Sequence, residues 1–253
     1  DAYHNRRMSM VKVLSEYILS LGQEAYIPNF FCKAYRPVLY IPSKEEVKEL
    51  LQKMDIRTSH NSEQFRLDRE CKILFLLYFC CGLRLSEGRL LKWEHIDLDK
   101  GILTVLGSKG NKDRLVYLPQ DSLPILKNYK ESQEMLFPGI DWAFPGKDPH
   151  KPVSCSGVES SFNRHWAMLP VAKTIDKHPT PHCLRHAFVV ERFNEWMHQG
   201  IDTNTMLPYL SRYLGHKSPD ETYYYYHLVE KAFDTIREKD SVSGKVIPEV
   251  IPY

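Results

Sequence analysis

Residues 102–118 read ILTVLGSKGNKDRLVYL. Two short runs rich in β-branched and large apolar residues, ILTVL at 102–106 and RLVYL at 114–118, flank GSKGNKD. The glycines and asparagine between them suit a tight chain reversal, so the stretch predicts a β-hairpin. Around it the apolar periodicity is helical. The expected fold class is therefore α+β: a mostly helical domain carrying one small antiparallel sheet.

Toward the N-terminus, ILFLLYFCCGL at 73–83 fits the end of a buried helix over 66–81 that Gly82 stops. Ser86 then resembles the N-cap of a short helix, SEGRLLKW. Ser43-Lys-Glu-Glu46 has the form of a capping box and predicts a helix to about Met54, followed by the polar loop RTSHNSEQ. Residues 3–21 have apolar positions at helical spacing (Met10, Val13, Leu14, Tyr17, Ile18, Leu21), and Gly22 ends the run. Pro28, Pro37 and Pro42 mark an extended linker, which sets a boundary near residue 40: an arm over 1–39 and a domain over 40–253. Toward the C-terminus, helices are expected at about 121–132, 156–169, 181–199, 203–214 and 219–238, then a tail containing Pro248 and Pro252.

A chain of 253 residues with 43% hydrophobic content can bury a real core, and no apolar run is long enough for a membrane span. The six cysteines show no CxxC and no disulfide-like spacing, which fits reduced thiols and a cytoplasmic setting. No signal peptide precedes Asp1, and the missing initiator Met suggests a fragment. The net charge of +2 does not by itself argue for nucleic acid. Clusters such as SKGNKDR at 108–114, with Lys112 and Arg114 as candidate DNA contacts, would have to supply the basic surface.

Four stretches can carry chemistry. In Gly82-Leu-Arg84-Leu-Ser86-Glu87, Arg84 follows a buried helix at a glycine turn. It is either a surface arginine near a cap or a guanidinium held to bind an oxyanion, with Glu87 bracing it. Lys109 at the hairpin tip is either a solvated turn residue or a proton donor that reaches over a ligand. In Thr180-Pro181-His182-Cys183-Leu184-Arg185-His186, Thr180 can cap a helix with Pro181 at its first position. His182, Arg185 and His186 then share a face. Zinc, a functionless surface cluster and an anion site compete there. Arg185 would repel a cation, and the glutamate of HExxH is absent. In Tyr213-Leu214-Gly215-His216, Gly215 reads as a helix C-cap and leaves His216 in a loop, with Pro219 opening the next helix. Then comes ETYYYYHL at 221–228, four consecutive tyrosines.

GLRLSE, GSKGNK, HCLRH, LGH and YYH occur in the order and spacing of the tyrosine recombinases, the phage-integrase-like family, and the chain resembles that family from about residue 40 to 238. The resemblance implies a tyrosine-recombinase catalytic domain. Arg84 resembles the family's first arginine, with Glu87 supporting it. Lys109 resembles the hairpin lysine, with Lys112 a rival because this turn reads GSKG. His182 and Arg185 resemble the HxxR pair, His186 the histidine after it, and His216 the LGH histidine. Tyr225, nine residues after His216, resembles the nucleophile, with Tyr224 and Tyr226 the nearest rivals. The 3–21 helix looks like the last helix of the family's core-binding domain. Gly88 and Pro219 depart from the family's usual apolar residues, and a glycine at 88 weakens the short helix.

The implied reaction is cleavage and rejoining of double-stranded DNA through a 3′-phosphotyrosyl link, in service of a mobile element. Two arginines and His216 would neutralise the transition state, Lys109 would protonate the leaving 5′-oxygen, and His182 would accept or orient the phenolic proton. No cofactor and no metal site is expected. The implied partners are recombination sites and further copies of the chain in a tetrameric synaptic complex. A type IB topoisomerase-like nicking and closing enzyme and an inactive DNA-binding module are the alternatives.

Overall fold

The computed structural model describes residues 2–29, 32, 39–56, 61–108 and 112–225. The chain divides into two compact units, Asp1–Leu39 and Tyr40–Tyr253. In the first, α1 (Ala2–Ser20) presents Met10, Val13, Leu14 and Tyr17 to the outside. Asn5 pins the following segment by exchanging two 2.7 Å hydrogen bonds with the backbone of Cys32.

The second unit opens with α2 (Lys44–Lys53). Its capping box is formed: Ser43 Oγ accepts from Glu46 N at 3.2 Å, and Glu46 Oε2 accepts from Ser43 N at 2.9 Å. The central helix α3 (Ser62–Cys81) begins four residues before the expected start of 66, because Asn61 Oδ1 caps it by accepting from Glu63 N and Gln64 N. Gly82 ends it at φ 63°, a left-handed cap, with the Phe188 ring against its Cα. The short α4 (Leu85–Arg89) starts from Arg84 and not from Ser86, since the Glu87 carboxylate turns back to accept the Arg84 backbone N–H. Gly88 is buried there: a Cβ would stand 2.4 Å from the Tyr78 ring and 2.8 Å from Leu74, so glycine makes room for the Tyr78 side chain, whose hydroxyl donates to Leu85 O.

The sheet is antiparallel, in the order β1 (Ile96–Asp97), β2 (Ile102–Ser108), β3 (Lys112–Tyr117). The hairpin pairs Leu103 with Val116 and Val105 with Arg114, and the register shifts between Val105 and Ser108. The edge strand β1 is two residues long and lies below what periodicity can register. Helices α5 (Leu123–Leu136), α6 (Cys155–Trp166), α7 (His182–His198) and α8 (Thr203–Leu214) follow near their expected places, then the single turn α9 (Asp220–Tyr223). Helix α7 starts at His182, one residue after Pro181, and no side chain caps it. Of the helix expected over 219–238, the part beyond Tyr225 lies outside the described residues, as does the tail.

One hydrophobic cluster centres on α3, where Leu74, Phe75, Leu77 and Tyr78 meet Leu103, Val116, Phe144, Phe162 and Leu184. A second joins Phe188, Val189 and Phe193 of α7 to Leu207, Leu210 and Leu214 of α8 and to Tyr225. Both α3 and α8 end in left-handed glycines, Gly82 and Gly215.

Candidate active site

An α-helix leaves its last carbonyls without partners and carries a partial negative charge at that end. Here two such ends supply acceptors for arginines. Arg185, on the inner face of α7 and 2% exposed, donates from Nη1 to Gly82 O at 2.6 Å and from Nη2 to Leu214 O at 2.9 Å. Arg84 donates from Nη2 to Gly215 O at 2.6 Å. Arg114 donates from Nε to Tyr213 O at 2.8 Å.

A single carboxylate binds the group together. Glu87 Oε1 accepts from Arg84 Nη1 and Arg114 Nη1, and Oε2 accepts from the Arg84 backbone N–H and Arg114 Nη2, all at 2.8 Å. Arg185 Nη1 stands 3.9 Å from Oε2. Burial alone would raise the Glu87 pKa, but the hydrogen bonds from Arg114 and Arg84 hold it down at about 2. Burial, aided by the neighbouring Arg84, lowers Arg185 to about 10, still well above neutral pH.

The Gly215 turn delivers His216. Its Nε2 lies 3.0 Å from Arg185 Nη2, and its Nδ1 lies 2.7 Å from Thr222 Oγ1. A guanidinium has no acceptor, so Nε2 is the accepting nitrogen here. Thr222, fully buried in the turn α9, was not singled out from the sequence.

Tyr225 is buried at the end of the described chain, and its hydroxyl is hydrogen-bonded to His186 Nδ1 at 2.5 Å. Burial raises the phenol to about 12 against the opposing pull of Arg185. His186 is pushed down to about 4, by burial first and then by His182, Arg185 and His216. His182 is also lowered, by burial and then by Arg185 and Arg84; its ring stands edge-on to His186 with centroids 4.7 Å apart.

The structure thus brings Arg84, Glu87, His182, Arg185, His186, His216 and Tyr225 together. The imidazole that meets the tyrosine hydroxyl is His186, whereas the sequence pointed to His182. Arg114, expected as a DNA contact, has its side chain 9% exposed and turned onto Glu87 and Tyr213. The signal for this was available: Arg114 has the same strand parity as Val116, which faces the core. Lys109 lies outside the described residues, and Lys112 is described in its backbone only. Tyr223 and Tyr224 are exposed, and Tyr226 lies beyond the described chain. Among the described residues, no group of three or more His, Cys, Asp or Glu side chains is arranged to hold a metal ion. Among them also, no helix is long and apolar enough to cross a membrane.

This fold, mostly helical around a small antiparallel sheet, is that of tyrosine recombinase catalytic domains. The integrase of the Tn1549 transposon, solved with a circular intermediate DNA, superposes with a TM-score of 0.67 at 15% identity, covering 93% of this chain and 78% of that one. Lambda integrase (residues 75–356), solved as a dimer on a core site, gives 0.62 at 18% identity over 96% and 77%. The model of the phage integrase family matches residues 43–232, and the chain belongs to that family, the tyrosine recombinases. It is 28% identical to a putative integrase/recombinase, y4rB, of Sinorhizobium fredii, over 87% of this chain and 72% of that protein. It is 30% identical to the tyrosine recombinase XerA of Pyrococcus furiosus, over 81% of this chain and 63% of the relative.

Proposed function

We propose that the chain is the catalytic part of a site-specific DNA recombinase that cleaves and rejoins strands through a 3′-phosphotyrosyl intermediate. The observation that carries the reading is the Tyr225 hydroxyl held on His186 Nδ1 beside Arg185, in a site where Arg84 and Arg185 converge on the end of α8. The Tyr225 oxygen bonds to the backbone phosphorus as the bond to the 5′-oxygen breaks. The phenolic proton passes to His186 Nδ1, and Lys109 gives a proton to the departing 5′-oxygen. A phenol near 12 is un-ionised at neutral pH, so its proton must leave during the attack. His186, near 4, is neutral there, so its Nδ1 accepts the phenol's hydrogen bond; a base this weak takes the proton only as the bond to phosphorus forms and makes the phenolic oxygen acidic.

Charge gathers on the non-bridging oxygens, and Arg84 and Arg185 offset it from fixed positions; removing one such donor costs roughly 10²–10³ in rate. In the arrangement described, Nε2 of His216 is occupied by Arg185. His216 stands beside Arg185 and, in this reading, joins the arginines in facing the phosphate. The phosphotyrosyl bond conserves the energy of the phosphodiester, so rejoining to another 5′-hydroxyl needs no nucleotide. Duplex recombination sites, a tetrameric assembly on paired sites and service to a mobile element belong to the same reading, supported by the family membership.

A nicked strand-trapping DNA, with EDTA present, tests the proposal. The wild-type chain should accumulate a covalent protein–DNA adduct. Among single Tyr→Phe variants at 223, 224, 225 and 226, only Tyr225→Phe should lose it. On a helical turn successive side chains point about 100° apart, so four adjacent tyrosines cannot all face one phosphate. An adduct that persists in Tyr225→Phe moves the nucleophile. DNA binding with no adduct from any form leaves an inert binding module, and relaxation of supercoils without strand exchange between sites favours the topoisomerase-like activity.

A further inference from the structure

We infer that Arg114 is a positioning residue for the arginine site, acting through Glu87, and not a contact to DNA. The inference rests on the strand-cleavage reading above. Arg114 occupies the inward face of β3, paired across the hairpin with Val105 and flanked on that face by Val116, both of them buried. A guanidinium on a core face is costly unless its donors are matched. Three of its N–H groups are: Nη1 and Nη2 grip the two oxygens of Glu87 in parallel, and Nε holds the Tyr213 carbonyl. The guanidinium also lies against the Gly215 turn, where a Cβ would stand 3.2 Å from Arg114 Nη1 and 3.3 Å from Arg84 Nη1.

Two consequences follow from charge and geometry. Glu87 stands between two guanidiniums, Arg84 and Arg114. With Arg114 in place, its one negative charge is shared, and Arg84 keeps a net positive field toward an incoming phosphate. Without Arg114 the carboxylate would neutralise Arg84 alone. The same side chain fastens β3 to the Tyr213–Gly215 segment that delivers His216. A displacement of about 1 Å in such a scaffold can cost on the order of 10²-fold in rate.

The test compares wild type, Arg114→Met and Arg114→Lys in two assays. Single-turnover cleavage of strand-trapping DNA is measured at saturating protein, and DNA affinity is measured across a salt series. Arg114→Met should slow cleavage about 10²-fold while affinity and its salt dependence stay those of wild type. Arg114→Lys, which keeps the charge but not the paired hydrogen bonds, should recover part of the rate. A double variant, Glu87→Gln with Arg114→Met, should be no slower than Glu87→Gln alone. If Arg114→Met instead lowers the slope of log affinity against log salt by about 1 and bound DNA is cleaved at the wild-type rate, Arg114 is a phosphate contact and the inference is overturned. Additive losses in the double variant overturn it as well. If Arg114→Met fails to fold, the Arg114→Lys arm decides by the same split between rate and salt slope. Wild type that forms no adduct sinks the strand-cleavage reading, while the salt slope still decides whether Arg114 meets DNA.

Discussion

His186 is the residue at which burial and chemistry meet most directly. Its pKa lies near 4 in the folded chain against 6.5 for a free histidine, so from pH 6.5 down to 4 the unfolded chain takes up a proton that the folded one refuses. A group shifted this way contributes stability above pH 6.5 and loses it as pH falls toward 4. Between pH 7.5 and 5.5 the loss from this one group amounts to about 1 kcal/mol. His182 is lowered in the same sense, but it is exposed, so solvent screens its share of the trend. Thermal melts of wild type and His186→Asn over that interval check it: the variant should show the shallower fall, and parallel curves would remove His186 as the source. At this scale the sequence was legible where a motif names a residue, as for Arg84, Glu87, Arg185 and His216. It was not legible where a choice depends on three-dimensional direction. His182 and His186 share a helix face at i and i+4, and only the path of the chain into Tyr225 shows which of them reaches the hydroxyl.

The β2–β3 hairpin raises a question of reach at the scale of elements. Its inner face is fixed by Leu103, Val105 and Val116, and Arg114 fastens it to the site. In the sequence Lys109 falls between the two strands, within GSKGNKD, outside the described residues. We propose it as the group that protonates the leaving oxygen. Lys109→Ala should therefore slow cleavage of ordinary DNA far more than cleavage of DNA with a 5′-bridging phosphorothiolate, because a sulfur leaving group needs little protonation. Equal slowing on both substrates would remove Lys109 as the acid and turn attention to Lys112. The hairpin was readable because two β-rich runs flank a turn sequence, and the capping box at Ser43 because its reciprocal bonds are local. The misplaced start of α4 has the opposite origin. Ser86 is a fair N-cap by type, but Glu87 is committed to Arg84 and Arg114, and that tertiary commitment moves the start of the helix to Arg84. Gly88, which weakens a helix when judged alone, is set by the Tyr78 ring packed onto it from α3.

At the scale of the whole chain, the question is which parts are needed to fold and which to assemble. In the second unit, the cluster around Tyr225 takes its other buried members, Phe188, Val189, Phe193, Leu207, Leu210 and Leu214, from α7 and α8. Losing one of these large side chains to alanine costs about 2–5 kcal/mol, so this cluster is where the fold holds Tyr225 in place. The sequence beyond it has apolar residues at helical spacing, Leu228, Val229, Ala232, Phe233 and Ile236, which make one apolar stripe if the segment is helical. We propose that a neighbouring subunit on DNA covers this stripe. Truncation after His227 should then leave the cooperative melt in place and still allow an adduct on a single strand-trapping site. The same truncation should abolish stable complexes that hold two sites together, read by native gel or sedimentation with DNA carrying paired sites. Loss of the melt would instead place the segment within the core of its own chain, and paired-site complexes of normal stability would remove it from the assembly.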